Sequence, residues 1–326
     1  MSLTAARAQA GANIALVKYW GKRDARLNLP AAGSLSITLD QLQTVTQVIP
    51  DDSLTEDCLT VNGQPAEPKR VSAVLDRFRQ LTGHRQHARV ESHNNFPTAA
   101  GLASSASAFA ALVVAANRAY SAGLDDTALS EQARLGSGSA ARSIFGGFVE
   151  MAAGEREDGR DAVARPLLEG EQWPLQVVVA IVEESAKTVD STRGMNHTMA
   201  TSPFYSQWVR QVPADLAAAR AAIESRDFAA LAAVAEGSAL AMHASALAAR
   251  PGLVYWKPAT LGLIEAVRGL QSDGLPAFFT IDAGPQVKVV CLPEVAARVR
   301  QCLEQVEGVK RLVDCRLGPA ARLLAS

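Results

Sequence analysis

Hydrophobic periodicity changes character several times along the chain. Residues 12–17 and 35–49 are rich in β-branched and alternating positions, and Asn28, Pro30 and Gly33 punctuate the text between them. That pattern predicts a strand, a long loop and a second extended segment. Val71, Val74, Leu75 and Phe78 recur at helical spacing and predict a short amphipathic helix. The segment NNFPTAAGLASS then runs into ASAFAALVVAANRAY, which is apolar on nearly every face and so predicts an interior helix.

The text turns polar and charged over 152–171, which predicts an exposed hairpin or linker near a domain boundary. LQVVVAIVEE reads as the strand that opens the second half, followed by Ala-rich helical text over 204–247 and a helix over 258–270. Residues 277–281 and 287–292 read as two strands joined by the turn DAGP. A helix over 294–306 and a last strand over 311–315 complete helices beside a mostly antiparallel sheet, an α+β class. Division into 1–171 and 172–326 follows, because 326 residues exceed one core of usual size.

Composition removes several functions. Thirty-two basic and 33 acidic residues leave a net charge of −1, so no overall field favours nucleic acid or anionic lipid. The longest apolar run, 108–116, is too short to span a bilayer, and the N-terminus lacks a secretory pattern, so a cytoplasmic protein is expected. Cys58, Cys291, Cys302 and Cys315 are too dispersed for a zinc or redox motif and are expected to be reduced thiols. His84 and His87 have no nearby carboxylate or thiol to complete a metal shell, and a solvated loop is expected there. His93, His197 and His243 receive no role.

Five segments could carry chemistry. Ser104, Ser105 and Ser107 stand where the buried helix begins, and a helix N-terminus offers unpaired N–H groups to phosphate. The same serines could be simple caps, since the Walker spacing is absent. In LGSGSAARSIFGGF, Ser137, Ser139 and Arg142 repeat the small-residue theme, and the arginine is either a carboxylate fork or an ordinary surface cation. Lys18 and Lys22 flank Tyr19 and Trp20 after the first strand, while Lys187, Ser191 and Arg193 form another basic and hydroxyl cluster; both groups could equally be solvated. Asp282 ends a strand before Ala283, Gly284 and Pro285, as a turn residue bonding its own backbone or as a carboxylate at the mouth of a cleft.

Taken in order, ANIALVKYWGKRD, LNLPAAGSLSITL, NNFPTAAGLASSASAFAAL, GSGSAARSIFGGF, STRGMNHTMATSPFY and FFTIDAGPQVKV resemble the mevalonate diphosphate decarboxylase family of the GHMP kinase superfamily, over nearly the whole chain. The phosphate loop departs from the usual kinase pattern in carrying Ala103 at the second glycine. The resemblance implies a GHMP kinase fold, with an N-terminal ribosomal-protein-S5-domain-2-like domain and a C-terminal ferredoxin-like α/β-sandwich domain. It implies ATP-dependent decarboxylation of mevalonate 5-diphosphate to isopentenyl diphosphate, with ATP and Mg2+ and as a homodimer. Asp282, Lys18 and Arg142 would be catalytic; Tyr19, Lys22, Ser139, Ser191 and Arg193 would bind substrate. Lys69, Ser92, Asn94, Gly101, Ser104, Ser105, Ser107, Ser137 and Lys187 would contact the nucleotide, with Ser105 also touching the metal. The competing expectations are a decarboxylase for the 5-phosphate, a kinase that stops at the C3 hydroxyl, a nucleotide-binding regulator on the same fold, and a scaffold for protein partners.

Overall fold

In the computed structural model, residues 3–96, 104–185 and 188–325 are described, so Gly101 and Lys187 lie outside the described residues. The chain opens with β1 (Ala6–Val17), the small hairpin β2 (Lys22–Asp24) and β3 (Leu29–Pro30), and the long β4 (Ser34–Asp51). Next come β5 (Cys58–Val61), β6 (Gln64–Ala66), α1 (Lys69–Thr82), β7 (His87–Asn94), α2 (Ser104–Ala119) and α3 (Asp126–Gly136). A 3₁₀ turn over Gly138–Ile144, β8 (Phe148–Met151) and β9 (Ala164–Leu168) follow. The second half holds β10 (Gln176–Ile181), α4 (Ser191–Thr201), α5 (Tyr205–Ser225), α6 (Phe228–Leu247) and α7 (Pro258–Ser272). Last are β11 (Ala277–Ile281), β12 (Val287–Cys291), α8 (Ala296–Glu304), β13 (Arg311–Arg316) and β14 (Arg322–Leu323).

Two sheets organise these elements. The first runs β14-β1-β4-β7-β5-β6, with β8 and β9 extending it from the Ser34–Ile37 end of β4. The second is antiparallel throughout, in the order β11-β12-β10-β13. With β5 against β7 the sole parallel pairing among the described strands, the class is α+β. Sheet membership changes between β9 and β10, and β14 crosses back to pair with β1.

Burial explains the sequence patterns. In β10, Val177, Val179 and Ile181 join the core that also holds Leu16, Ile37, Trp208 and Met242, while Val178 and Ala180 face Leu263, Val267 and Val299 of α7 and α8. A strand covered on both faces must be apolar at every buried position, hence the unbroken VVVAI after the half-buried Gln176. Helix α2 lies against β1 and β4 with ten buried positions, which accounts for its all-round apolar text.

Some expectations gain detail, and the one for His87 needs correction. The Ala-rich text over 204–247 is two helices, separated where Arg226 adopts φ 56° and the Asp227 carboxylate caps α6 by accepting from Ala230 N at 3.0 Å. Of the hairpin or linker expected over 152–171 the structure has the hairpin, since β8 and β9 pair antiparallel across it with Met151 opposite Ala164, and Ala164 is fully buried. His87 begins β7 instead of lying in a solvated loop, because the neighbouring Ala88 N donates to Asp57 Oδ1 at 2.8 Å. Helix α6 is long and apolar enough to cross a membrane by length and composition, although 108–116 is the longest uninterrupted apolar run. It packs instead on α5, β1 and β11.

That Asp57 carboxylate also accepts from Arg79 Nη1 and Nη2, each at 2.9 Å, and so joins α1, the loop before β5 and β7. Both side chains are less than a tenth exposed. Asp57→Ala leaves a buried guanidinium with Asp76 as its remaining carboxylate and longer bonds to Gln86 O and Tyr120 Oη, and is expected to lower the unfolding free energy by about 3 kcal/mol in urea denaturation. A loss below about 1 kcal/mol would show that Asp76 and solvent suffice.

Candidate active site

The C-terminal ends of β1 and β11 meet at a cleft of about 460 Å³. β1 delivers Lys18 into it, and the turn after β11 delivers Asp282. Lys18 Nζ lies 2.8 Å from Asp282 Oδ1, and Lys288 Nζ from β12 lies 3.1 Å from Asp282 Oδ2. Both lysines are 1% exposed, whereas the aspartate keeps 22% of its side chain open to the cleft.

Burial sets the charge balance here. Desolvation pulls Lys18 down to about 8 although Asp282 opposes it. For Asp282, desolvation acts upward, yet the ammoniums of Lys18 and Lys288 together outweigh it and hold the carboxyl well below the usual carboxylate range. The DAGP turn is closed by the main chain, with Gly284 N donating to Asp282 O at 2.7 Å, so the carboxylate is released for the ion pairs.

Arg142 is held on the 3₁₀ turn at 2% exposure. Its Nη1 donates to Ser34 Oγ at 2.6 Å and Nη2 to Asn13 Oδ1 at 3.1 Å, while Nε has no hydrogen-bond partner. Asn13 in turn donates to Ser139 O at 2.9 Å and Ser143 Oγ at 2.8 Å, which fixes the turn against β1. Desolvation lowers the Arg142 guanidinium to about 10, with Asp282 and Tyr19 opposing. Tyr19 has a buried hydroxyl without a partner, and burial raises it above its ordinary value.

Two further groups line the cleft. At the start of α2, Ser105 Oγ lies 3.1 Å from Ser137 Oγ, beside Ser104 and Gly138. Lys22, Arg70, Asp190 and Ser191 form the other group, in which Asp190 Oδ1 caps α4 by accepting from Arg193 N at 3.0 Å. Lys22 is lowered by burial and by Arg70, and Asp190 offsets part of this.

The cleft therefore brings together Lys18, Tyr19, Lys22, Ser104, Ser105, Ser137, Ser139, Arg142, Ser191 and Asp282. Other anticipated positions fall outside its lining. Ser107 is fully buried and bonded to Thr44 at 2.6 Å, Ser92 is bonded to Thr46 at 3.0 Å, and Asn94 accepts from Thr44 at 2.5 Å. Lys69 is exposed at the first residue of α1, and the Arg193 side chain is exposed on α4. Lys288, Asn13 and Arg70 were missed. A lone lysine within PQVKVVC and a lone asparagine before IALV were the available signals, since a polar residue in a buried strand needs a partner.

A family model described as diphosphomevalonate decarboxylase-like N-terminal domain matches residues 10–164, and one described as mevalonate 5-diphosphate decarboxylase C-terminal domain matches 177–317. The chain is 38% identical to diphosphomevalonate decarboxylase from Homo sapiens, over 90% of this chain and 78% of the human one. The crystal structure of mevalonate diphosphate decarboxylase from Staphylococcus aureus superposes with a TM-score of 0.93 at 36% identity, covering 99% of this chain and 98% of that one. MDDEF in complex with MVAPP, AMPPCP and magnesium superposes with a TM-score of 0.91 at 38% identity, covering 100% of both chains.

Gly138 is required by close approach, since a Cβ there would collide with the Tyr19 hydroxyl. Gly138→Ala is expected to cost about 1 to 3 kcal/mol in urea denaturation, most of it relieved in a Tyr19→Leu background. An additive double mutant would show that the two residues do not press on each other.

Proposed function

The chain belongs to the diphosphomevalonate decarboxylase family, and from that premise we propose that its cleft unites ATP with mevalonate 5-diphosphate. The products are isopentenyl diphosphate, ADP, phosphate and carbon dioxide. The observation that carries this reading is a carboxylate held by two buried ammoniums in the same cleft as a buried guanidinium and a serine-flanked helix start. The fold is the GHMP kinase fold of its structural relatives.

Hydroxide is too poor a leaving group to depart from a tertiary carbon, so ATP first phosphorylates the C3 oxygen. Asp282 accepts a hydrogen bond from that hydroxyl and aims it at the terminal phosphoryl group, the proton passing late to an oxygen of the transferred phosphoryl as the new O–P bond forms and the bond to ADP breaks. An ionised carboxylate with suppressed proton affinity is a weak base, and orientation is the role its surroundings favour. A loose phosphoryl-transfer transition state asks for positioning and charge stabilisation more than for proton removal. Lys18 faces the charge that develops as the phosphate departs. Arg142, with Nε unengaged, holds the substrate carboxylate until its electrons form the double bond and CO2 leaves.

Ser104, Ser105 and Ser137 offer hydroxyls to the nucleotide phosphates. Magnesium, bound mainly through phosphate oxygens and water, would neutralise charge on them, and Ser105 is the hydroxyl that fits it. Such binding is compatible with the finding that no group of three or more His, Cys, Asp or Glu could hold a metal among the described residues. Lys22 and Arg70, both lining the cleft, suit a second phosphate and favour the diphosphate over the monophosphate. The cleft lining lends no support to nucleotide roles for Lys69, Ser92, Asn94 or Ser107. Residues 1–171 and 172–326 are taken as the two domains flanking the cleft, and a cytoplasmic homodimer as the setting.

Mevalonate, its 5-phosphate and its 5-diphosphate are to be supplied with Mg-ATP while ADP and CO2 are followed together. Equal amounts of both products from the diphosphate alone are expected. ADP without CO2 would make the chain a kinase, and turnover of the monophosphate would reassign the substrate. Asp282→Asn is expected to lower kcat at least about a hundredfold with ATP affinity within about tenfold. An equal loss of ATP binding would make Asp282 a structural residue.

A further inference from the structure

The Lys18–Asp282 pair spans the two sheets, and two buried hydroxyls fasten the same junction. Thr280 Oγ1 donates to Ala15 O at 2.9 Å, and Lys18 Nζ donates to the same carbonyl at 2.8 Å. Because Thr280 precedes Asp282 by two residues, a closed circuit runs from the Asp282 carboxylate through the Lys18 ammonium and Ala15 carbonyl to the Thr280 hydroxyl and back along the chain. From α6, Ser238 Oγ accepts from Lys18 N at 3.0 Å, and Glu236 Oε1 accepts from Phe279 N at 3.1 Å. Thr280 is fully buried and Ser238 is 1% exposed.

Lysine has four rotatable side-chain bonds, so an ammonium on a loosely held backbone would sample many positions around a carboxylate. Here its main chain is bonded at Lys18 N and at Ala15 O, both times by a side chain of the second half. We propose that Thr280 and Ser238 are positioning residues for the proposed reaction: they fix where the Lys18 ammonium meets the Asp282 carboxylate, without touching substrate. Thr280 contributes through the β11 side of the circuit and Ser238 through α6.

A merely structural hydroxyl would affect stability alone, whereas a positioning one affects the protonation and use of Lys18. The test compares Thr280→Val and Ser238→Ala with the conservative Thr280→Ser and Ser238→Thr. Measured are kcat, the KM for ATP, the pH profile of kcat/KM, and the 13Cε titration of Lys18 assigned by Lys18→Arg. The charged groups facing Lys18 are Asp282, Lys288 and Arg142, with His243 also close, and none is altered.

Thr280→Val is expected to lower kcat about tenfold, as for loss of one buried hydrogen bond, with the KM for ATP within about threefold. The Lys18 midpoint, near 8 in the intact protein, should rise because the Ala15 carbonyl, no longer shared with the Thr280 hydroxyl, accepts more strongly from the ammonium, and the alkaline limb of kcat/KM should rise with it. Thr280→Ser should restore both. Unchanged kcat with an unmoved Lys18 midpoint, or a valine variant that only lowers Tm, overturns the proposal. If Thr280→Val does not fold, Ser238→Ala gives the same reading. Wild-type protein inactive on every substrate would defeat the proposed reaction instead, and the Lys18 titration would still decide whether these hydroxyls position it.

Discussion

A lysine ammonium placed where two apolar layers meet cannot remain charged without a compensating anion, and the rest of the site is arranged around that requirement. Lys18 leaves a strand whose last six residues are all buried and meets a carboxylate on the other sheet at 2.8 Å. Lys288 adds a second cation to the same carboxylate, so two ammoniums share one anion and the local charge is positive. Such a pocket is prepared for substrates that bring negative charge with them.

The surrounding architecture follows from keeping those charges in register. The double-faced apolar strand β10 and the helices on either side of it hold β11 and β12 rigidly, so Asp282 and Lys288 come from neighbouring strands of one sheet. The 3₁₀ turn bearing Arg142 is tied to β1 through Asn13, and the start of α2 meets that region through Ser105 and Ser137. Rigid elements thus supply most of the groups, and the short loops between them have little freedom to misplace a side chain.

Much of this was legible in the sequence because burial leaves a periodic trace. β4, α2, α7 and the β11–β12 pair follow from their apolar patterns, and the six blocks that resemble the decarboxylase family carry Lys18, Arg142 and Asp282. Other features left no such trace. β9 and the β5–β6 hairpin are short and edge-exposed, so propensity was outvoted by the charged residues around them. His87 looked solvated because the carboxylate that ties its strand down, Asp57 accepting from Ala88 N, lies 31 residues before Ala88 in sequence. Lys288 was overlooked although β12 is buried at every position, which is itself the clue that its lysine must be paired. The serines divide on helical geometry alone, with Ser104 and Ser105 facing the cleft and Ser107 turned toward Thr44.

The central claim is that Asp282 stays ionised between two ammoniums and orients a hydroxyl instead of taking its proton. Carboxyl 13C NMR of aspartate-labelled protein, with the Asp282 signal identified by its loss in Asp282→Asn, tests this directly. The account predicts a carboxylate chemical shift throughout the pH range in which the protein stays folded. A titration midpoint between about 5 and 7, the range suited to a general base, would contradict it.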